Sequence, residues 1–211
     1  RDALEMGKQQ RYDKHDLFLQ FPEPLAPRSR RREIDERISR DGDAIVPIDE
    51  NQVRREAGKL VAAGVEAIAV CFLHAYKNPA HERTARDVIR AAHPDIAVSI
   101  SSEVQPELRE YDWVSTTTAN AYVQPLMERY VRNLVDAFGA RGFRGRFHLT
   151  QSSGGLVAPE VAIRFPIRLL ESGPAGGALA SAHVGGRVGK SNLISFDMGG
   201  TTAKAATIED G

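Results

Sequence analysis

The sequence predicts a layered α/β fold, and three observations carry that prediction. From residue 49 onward, amphipathic helical periodicity alternates with apolar runs of strand length. One of those runs, residues 67–73, is continuously apolar, as in a strand covered on both faces. Near the C-terminus, two strand-length segments flank a turn containing Gly199 and Gly200. With 211 residues, of which 42% are hydrophobic and 27% charged, the chain has the length and composition of a globular protein with a core.

Taken in order, residues 1–30 are polar and punctuated by Pro22, Pro24 and Pro27, which disfavours helix there. A hairpin is expected next, from residues 32–38 and 44–48 about an Asp41-Gly42 turn. The cluster Arg28, Arg30, Arg31 and Arg32 reads either as a phosphate or nuclear-targeting patch or as solvated charge met by Glu33, Asp35 and Glu36. Asp49 is placed to cap a helix with Val53, Ala57, Leu60 and Val61 on one face, and Gly64 to stop it. Strand 67–73 follows. Asn78-Pro79 then opens a helix with Ala85, Val88, Ile89 and Ala92 inside, and residues 96–100 form a second strand.

A long helical region is expected from about Pro106 to Phe138, with Pro125 as a restart or kink and Met127, Val131, Leu134, Val135 and Phe138 as a core stripe. Residues 146–151 read as a third strand running into a Ser-Ser-Gly-Gly turn. After a short helix, the glycine-rich stretch 171–177 leads into an Ala-rich helix ending near Gly185 and Gly186. Residues 192–196 and 203–208 are the closing strands. No internal repeat or low-complexity tract is visible.

Composition excludes several function classes. Lys plus Arg equals Asp plus Glu at 28 each, so the chain lacks the cationic excess of a general nucleic-acid or polybasic membrane binder. The single Cys71 rules out an internal disulfide framework and a Cys-rich zinc module. No run approaches the roughly 18 apolar residues that span a bilayer. A reducing, cytoplasmic location without nucleic-acid or membrane partners is expected. Because the chain begins at Arg1 and stops at Gly211 directly after a strand, we expect it to be a piece of a longer protein.

Three glycine-rich turns are the candidates for chemistry. In the segment 194–202, Gly199 and Gly200 let the backbone present N–H groups to an anion, and Thr201 and Thr202 add hydroxyl donors. Asp197 at the end of the incoming strand suits a magnesium ion held through water opposite the phosphates. A plain hairpin also carries Gly-Gly at its tip, so the combination of strand, Asp and Gly-Gly-Thr matters more than the glycines alone. The second turn, with Gly173, Gly176 and Gly177, opens a helix, where phosphate is favoured; tight helix–sheet packing through small residues is the alternative. The third, with Ser153 and Gly154, lies at the C-terminal end of a strand, the usual ligand side of open α/β sheets. Three such turns in succession suggest convergence on one anionic ligand.

Residues 67–74, 78–82, 101–104, 109–111, 115–123, 151–156, 172–177 and 196–201 together resemble the hydantoinase A / 5-oxoprolinase / acetone carboxylase β-subunit family, N-methylhydantoinase A-like, across nearly the whole chain. The resemblance implies a partial actin/hexokinase/Hsp70-like (ribonuclease H-like) ATPase fold, a mixed sheet with flanking helices. Residues 1–103 would be the C-terminal part of the family's N-terminal domain, and 104–211 the start of its central domain. It further implies ATP and Mg2+ or another divalent metal as cofactors, a small cyclic-amide substrate, and a companion hydantoinase B-type subunit or domain.

The implied chemistry has a clear physical need. A lactam carbonyl is stabilised by amide resonance, and phosphorylating its oxygen gives an activated imidate that water attacks. By position, Asp197, Gly199, Gly200 and Thr201 would form a phosphate loop, with Gly173, Gly176 and Gly177 supporting a second turn near the nucleotide. Within the family, acetone carboxylase-type activation of an enolate is the rival reading. An Hsp70-like nucleotide switch without catalysis is the reading from a different class. The family often follows its Gly-Gly-Thr turn with a further Asp. Here Thr202-Ala203-Lys204 follows, which weakens any claim for a second metal-binding carboxylate; Lys204 reads either as sitting near phosphate or as pointing to solvent from a strand. The family's other Gly-Gly-Thr loop falls outside this chain, so the piece is expected to supply one wall of a two-lobed cleft and not to turn over ATP alone.

Histidines 15, 74, 81, 93, 148 and 183 lack zinc-ligand spacing, although His74 at a strand end and His81 at a helix start are placed to meet in space. Cys71 is expected to be a buried, inert thiol. Glu103, Arg109, Glu110, Tyr111 and Asp112 form a polar cluster that either lines a surface for substrate or partner or is solvated charge at a helix start. Thr116, Thr117 and Thr118 are expected to support packing.

Overall fold

The alternation of helix and strand expected from residue 49 is what the chain adopts. The structure, a computed structural model, describes residues 2–7, 18 and 22–211, so His15 lies outside the described residues. It divides into two units, Arg1–Pro125 and Leu126–Gly211.

In the first unit the proline-punctuated start still forms one helical turn, α1 (Ala3–Met6), and a 3-10 turn at Arg28–Arg30. The arginine cluster is tied down by carboxylates. Arg28 pairs with Asp2 at 2.7 Å, Arg31 with Glu5 at 3.4 Å and Arg32 with Glu56 at 3.9 Å. Strands β1 (Arg37–Ile38) and β2 (Ala44–Val46) make the antiparallel hairpin, shorter than expected, with Gly42 at φ 102 in its turn.

Helix α2 (Glu50–Ala62) starts where Asp49 accepts the Asn51 N–H at 2.9 Å and ends before Gly64, which takes the left-handed φ of 77. Strand β3 (Ala67–Val70), helix α3 (Ala80–Ala92) and strand β4 (Ala97–Ile100) form a parallel βαβ unit in which Ala67 faces Ala97 and Val70 faces Ile100. Its core joins Val53 and Ala57 of α2, Ile68 and Val70 of β3, Ala85, Val88 and Ile89 of α3, and Val98 and Ile100 of β4. β3 is shorter than the apolar run because the Phe72 amide leaves the ladder and donates to the Glu82 carboxylate.

A single helical turn, α4 (Ser101–Val104), leads to α5 (Glu110–Ala140), which begins after Arg109 at φ 84 and continues past Pro125 without ending. Asn120 of α5 donates to the Ser99 hydroxyl of β4 at 3.0 Å, and that hydroxyl donates to Gln124 at 2.9 Å, a buried polar chain. Of the expected apolar stripe, Val131 is fully buried and Val135 is exposed.

In the second unit the expected strand 146–151 shrinks to β5 (Leu149–Thr150), paired antiparallel with β6 (Leu156–Val157). Then come α6 (Pro159–Arg164), a 3-10 turn at Pro166–Leu169, and α7 (Ser172–Arg187). Strands β7 (Leu193–Met198) and β8 (Ala203–Ile208) close the chain as an antiparallel hairpin, with Leu193 opposite Ile208 and Asp197 opposite Lys204. Their ladder alternates. Ser195 is buried and receives a hydrogen bond from Ser181 of α7 at 3.0 Å, while Ile194, Phe196 and Met198 point to the other, exposed face.

Candidate phosphate-binding site

The glycine-rich segments gather around α7, one of them lying inside that helix. In the turn after β5, the Gln151 N–H donates to the Gly155 carbonyl at 2.8 Å and the Gly154 N–H to the Gln151 carbonyl at 2.9 Å. Ser152 donates its N–H and hydroxyl to the Arg168 carbonyl, at 2.7 and 2.8 Å, and also bonds the Leu170 carbonyl, tying this turn to the approach to α7. Gly176 of α7 faces Thr150 of β5, where a Cβ would make ordinary van der Waals contact with Cγ2 at 3.7 Å. On the other side, the Lys204 ammonium of β8 pairs with the carboxylate of Glu171, the residue just before α7.

The segment containing Gly173, Gly176 and Gly177 is therefore helix, not a turn: all three lie within α7. In the β7–β8 turn, Gly199 does not offer its amide outward, because that N–H donates to the Thr202 carbonyl at 3.0 Å and closes the bend. Among the described residues, no backbone carbonyl accepts from the amides of Gly200 or Thr201. Residues 197–202 are exposed, and the Thr201 and Thr202 hydroxyls are 3.4 Å apart. Ser153 is exposed beside Gly154.

The glycines fall into two kinds. Gly154 has φ 85, and a Cβ there would stand 2.9 Å from Leu179 Cδ1; Gly185 could carry a Cβ only by colliding with Leu193 and the Lys190 carbonyl. Packing explains both. Gly173, Gly177, Gly199 and Gly200 have no positive φ and no crowding neighbour. The described fold would accept alanine at each. Glycine inside a helix costs about 0.5–1 kcal/mol relative to alanine, so Gly173, Gly177 and Gly186 weaken α7 without a packing return. Gly185→Ala is accordingly expected to lower the melting temperature of the complete protein by several degrees, and Gly177→Ala to leave it unchanged or raised, as thermal unfolding would show.

A magnesium ion fits the donor set in one way. Among the described residues no group of three His, Cys, Asp or Glu side chains could cage a metal. Asp197 alone, next to the turn, matches a cation carried mainly by water and phosphate oxygens. The residue paired across the hairpin from it is Lys204, not a carboxylate.

The first unit holds groups that sequence reasoning missed. Glu82, fully buried in the first turn of α3, accepts from the Phe72 N–H at 2.8 Å, the Ser101 hydroxyl at 2.6 Å and the Ser102 N–H at 2.8 Å. It ties together the carboxyl ends of β3 and β4. An acid three and seven residues before Ala85's and Ile89's positions on the apolar face was the sequence signal for it. Burial pushes the Glu82 carboxyl above its ordinary range against the pull of those three donors. A raised carboxyl favours the folded state fully only below the ordinary pKa and loses that contribution as pH rises through the folded value. The melting temperature of the complete protein is thus expected to fall more steeply with rising pH than that of Glu82→Gln, read by calorimetry across the acid range.

His81 does not meet His74: its Nδ1 lies 2.8 Å from the Glu36 carboxylate, and His74 instead stands edge-on to Tyr76. Burial pushes the Cys71 thiol well above its usual range, and the neighbouring Glu82 adds to it, as an inert cysteine requires. Glu103 of the polar cluster is engaged by Arg86 at 2.9 Å. Thr117 is fully buried, and Thr118 donates to the Val114 carbonyl at 2.7 Å.

Sequence models of the hydantoinase/oxoprolinase N-terminal region and of hydantoinase/oxoprolinase match residues 1–93 and 114–211. An uncharacterized protein of Methanocaldococcus jannaschii is 41% identical over 99% of the chain, which spans 31% of that protein. Caprolactamase subunit alpha of Pseudomonas jessenii is 37% identical over 95% of the chain and 29% of its own length. The crystal structure of an ATP-dependent caprolactamase from the same organism superposes with a TM-score of 0.85 at 34% identity, covering 98% of this chain and 30% of that one. A nucleotide-free acetone carboxylase, from work on ATP-dependent acetone carboxylation, superposes with a TM-score of 0.81 at 30% identity over 90% of this chain and 27% of the other. The expected mixed α/β fold class is borne out by both. No described helix is long and apolar enough to cross a membrane.

Proposed function

Because the chain belongs to the hydantoinase/oxoprolinase family, we propose that it forms one phosphate-binding wall of an ATP-dependent enzyme that opens cyclic amides. The observation that carries this reading is the exposed β7–β8 bend, which Gly199 closes through its own N–H and in which, among the described residues, no backbone carbonyl accepts from the Gly200 or Thr201 amides. Glycine at such positions lets a polyphosphate approach the backbone closely. In this reading the amides of Gly200 and Thr201, with the hydroxyls of Thr201 and Thr202, grip the terminal phosphates. Gly173, Gly176 and Gly177 let the first turns of α7 pass close to the nucleotide, and Ser153 contributes a hydroxyl from the turn whose Gly154 is a packing residue.

Asp197 would hold a divalent cation through water, and that cation, when bound, offsets charge between the phosphates. The chain's own groups orient the terminal phosphorus toward the lactam carbonyl. That oxygen attacks, the new O–P bond forms, and the bond to the bridging oxygen breaks with release of ADP. Water then adds to the activated carbon, the ring C–N bond breaks as the nitrogen takes up a proton, and a second water hydrolyses the resulting acyl phosphate to the amino acid and phosphate.

The companion subunit belongs to this proposal, supported by the subunit naming of the caprolactamase relative. So does a division into residues 1–103 and 104–211 as the end of one family domain and the start of the next, supported by the two separate sequence matches. A cytoplasmic location fits a reaction that consumes ATP and a thiol that stays reduced. The test is turnover by the complete protein with its companion subunit. ATP hydrolysis coupled to opening of five- to seven-membered lactams or hydantoins is expected. ATP consumption coupled instead to ketone and bicarbonate would move the assignment to the carboxylase reading, and ATP turnover answering only to a protein partner would move it to the switch.

A further inference from the structure

Lys204 occupies a position that the phosphate-loop reading leaves unused. It stands directly opposite Asp197 in the β7–β8 register, so both side chains leave the same face of the hairpin. That face is the one whose Ser195 packs on α7 through Ser181. The Lys204 ammonium makes its ion pair with Glu171, 33 residues earlier in the chain.

Glu171 is unusual on two independent counts. Its backbone is left-handed, at φ 63 and ψ 18, a conformation that costs a non-glycine residue free energy. It also occupies the N-cap position of α7, yet its carboxylate makes no cap to that helix. The carboxylate is committed to the ammonium, while the backbone carbonyl accepts the Ala175 N–H of α7 at 3.3 Å. An exposed ion pair contributes little stability by itself, so strain at Glu171 with no helix cap in return points to a role in positioning.

Charge gives that role content. Without Lys204, the α7-facing side of the turn would present Asp197 and Glu171, two carboxylates that repel a polyphosphate within the screening distance of about 8 Å. Lys204 carries a compact ammonium on a flexible stem, the form of cation suited to phosphate oxygens. We propose that Lys204 is a phosphate-contacting residue of this site and that Glu171 is the residue that positions it. This rests on the reading of the β7–β8 turn as a phosphate loop.

The test measures binding of ATP, ADP and AMP to the complete protein by calorimetry at fixed magnesium. Lys204→Met keeps the stem and removes the charge. It is expected to weaken ATP binding about tenfold or more, as loss of a charge-assisted hydrogen bond does, with a smaller loss for ADP and none for AMP. Lys204→Arg is expected to restore most of the affinity. Glu171→Gln is expected to weaken ATP binding in the native background and to have no further effect in Lys204→Met, because it acts through that ammonium. ATP affinity of Lys204→Met within twofold of native, or additive losses in the double variant, would overturn the inference. Gly200→Val separates the two layers. If it abolishes ATP binding while Lys204→Met does not, only the Lys204 assignment fails; if Gly200→Val binds ATP normally, the phosphate-loop reading fails and takes this inference with it.

Discussion

Asp197→Ala in the complete protein is expected to lower magnesium-dependent ATP turnover by about 10²–10³-fold, the scale of losing one preorganised electrostatic element at a reacting phosphate. The same change is expected to leave folding nearly untouched. Asp197 is exposed near the end of β7, and its removal strands no buried donor. Its one structural relation is the cross-strand position opposite Lys204, and such pairs are worth roughly 0.2–1 kcal/mol. A loss of turnover with an unchanged melting curve therefore separates a ligand-holding role from a structural one. Turnover equal to native would remove Asp197 from the site.

Glu82→Ala is expected to produce the opposite profile, a large loss of structural integrity away from the proposed phosphate loop. The carboxylate is wholly buried and takes the Phe72 and Ser102 amides and the Ser101 hydroxyl. Alanine leaves those three donors without their partner, at about 1–3 kcal/mol for each buried group left unsatisfied. The effect is local to the ends of β3 and β4. Hydrogen exchange in the complete protein is the suitable measurement, with the Phe72 and Ser102 amides expected to exchange at least 100-fold faster, the equivalent of about 2.7 kcal/mol. Protection equal to native at both amides would contradict the assigned network.

The elements governed by local chemistry were legible in the sequence. Asp49 caps α2, Gly64 terminates it in the left-handed region, and residues 203–208 form the closing strand, because capping, positive φ and period-two alternation act over a few residues. The expected strand 67–73 ran three residues too far because its apolar pattern gives no hint that a carboxylate ten residues later captures the Phe72 amide. Pro125 does not restart the helix, because α5 runs on through it.

The site shows the same division. Its glycine-rich segments were visible, but their kinds were not. Gly154 is a packing glycine only because Leu179 comes from α7 to lie against it, and Gly199 closes the bend with its own amide. Neither fact is local in sequence. The Lys204–Glu171 pair joins residues 33 positions apart, so only the fold could bring it into view.

The most direct measurement is a crystal structure of the complete protein with a non-hydrolysable ATP analogue and magnesium. The account requires phosphate oxygens within about 3 Å of the Gly200 and Thr201 amide nitrogens, with Asp197 facing the metal's water shell. Phosphates bound elsewhere, with the β7–β8 bend untouched by the nucleotide, would contradict it.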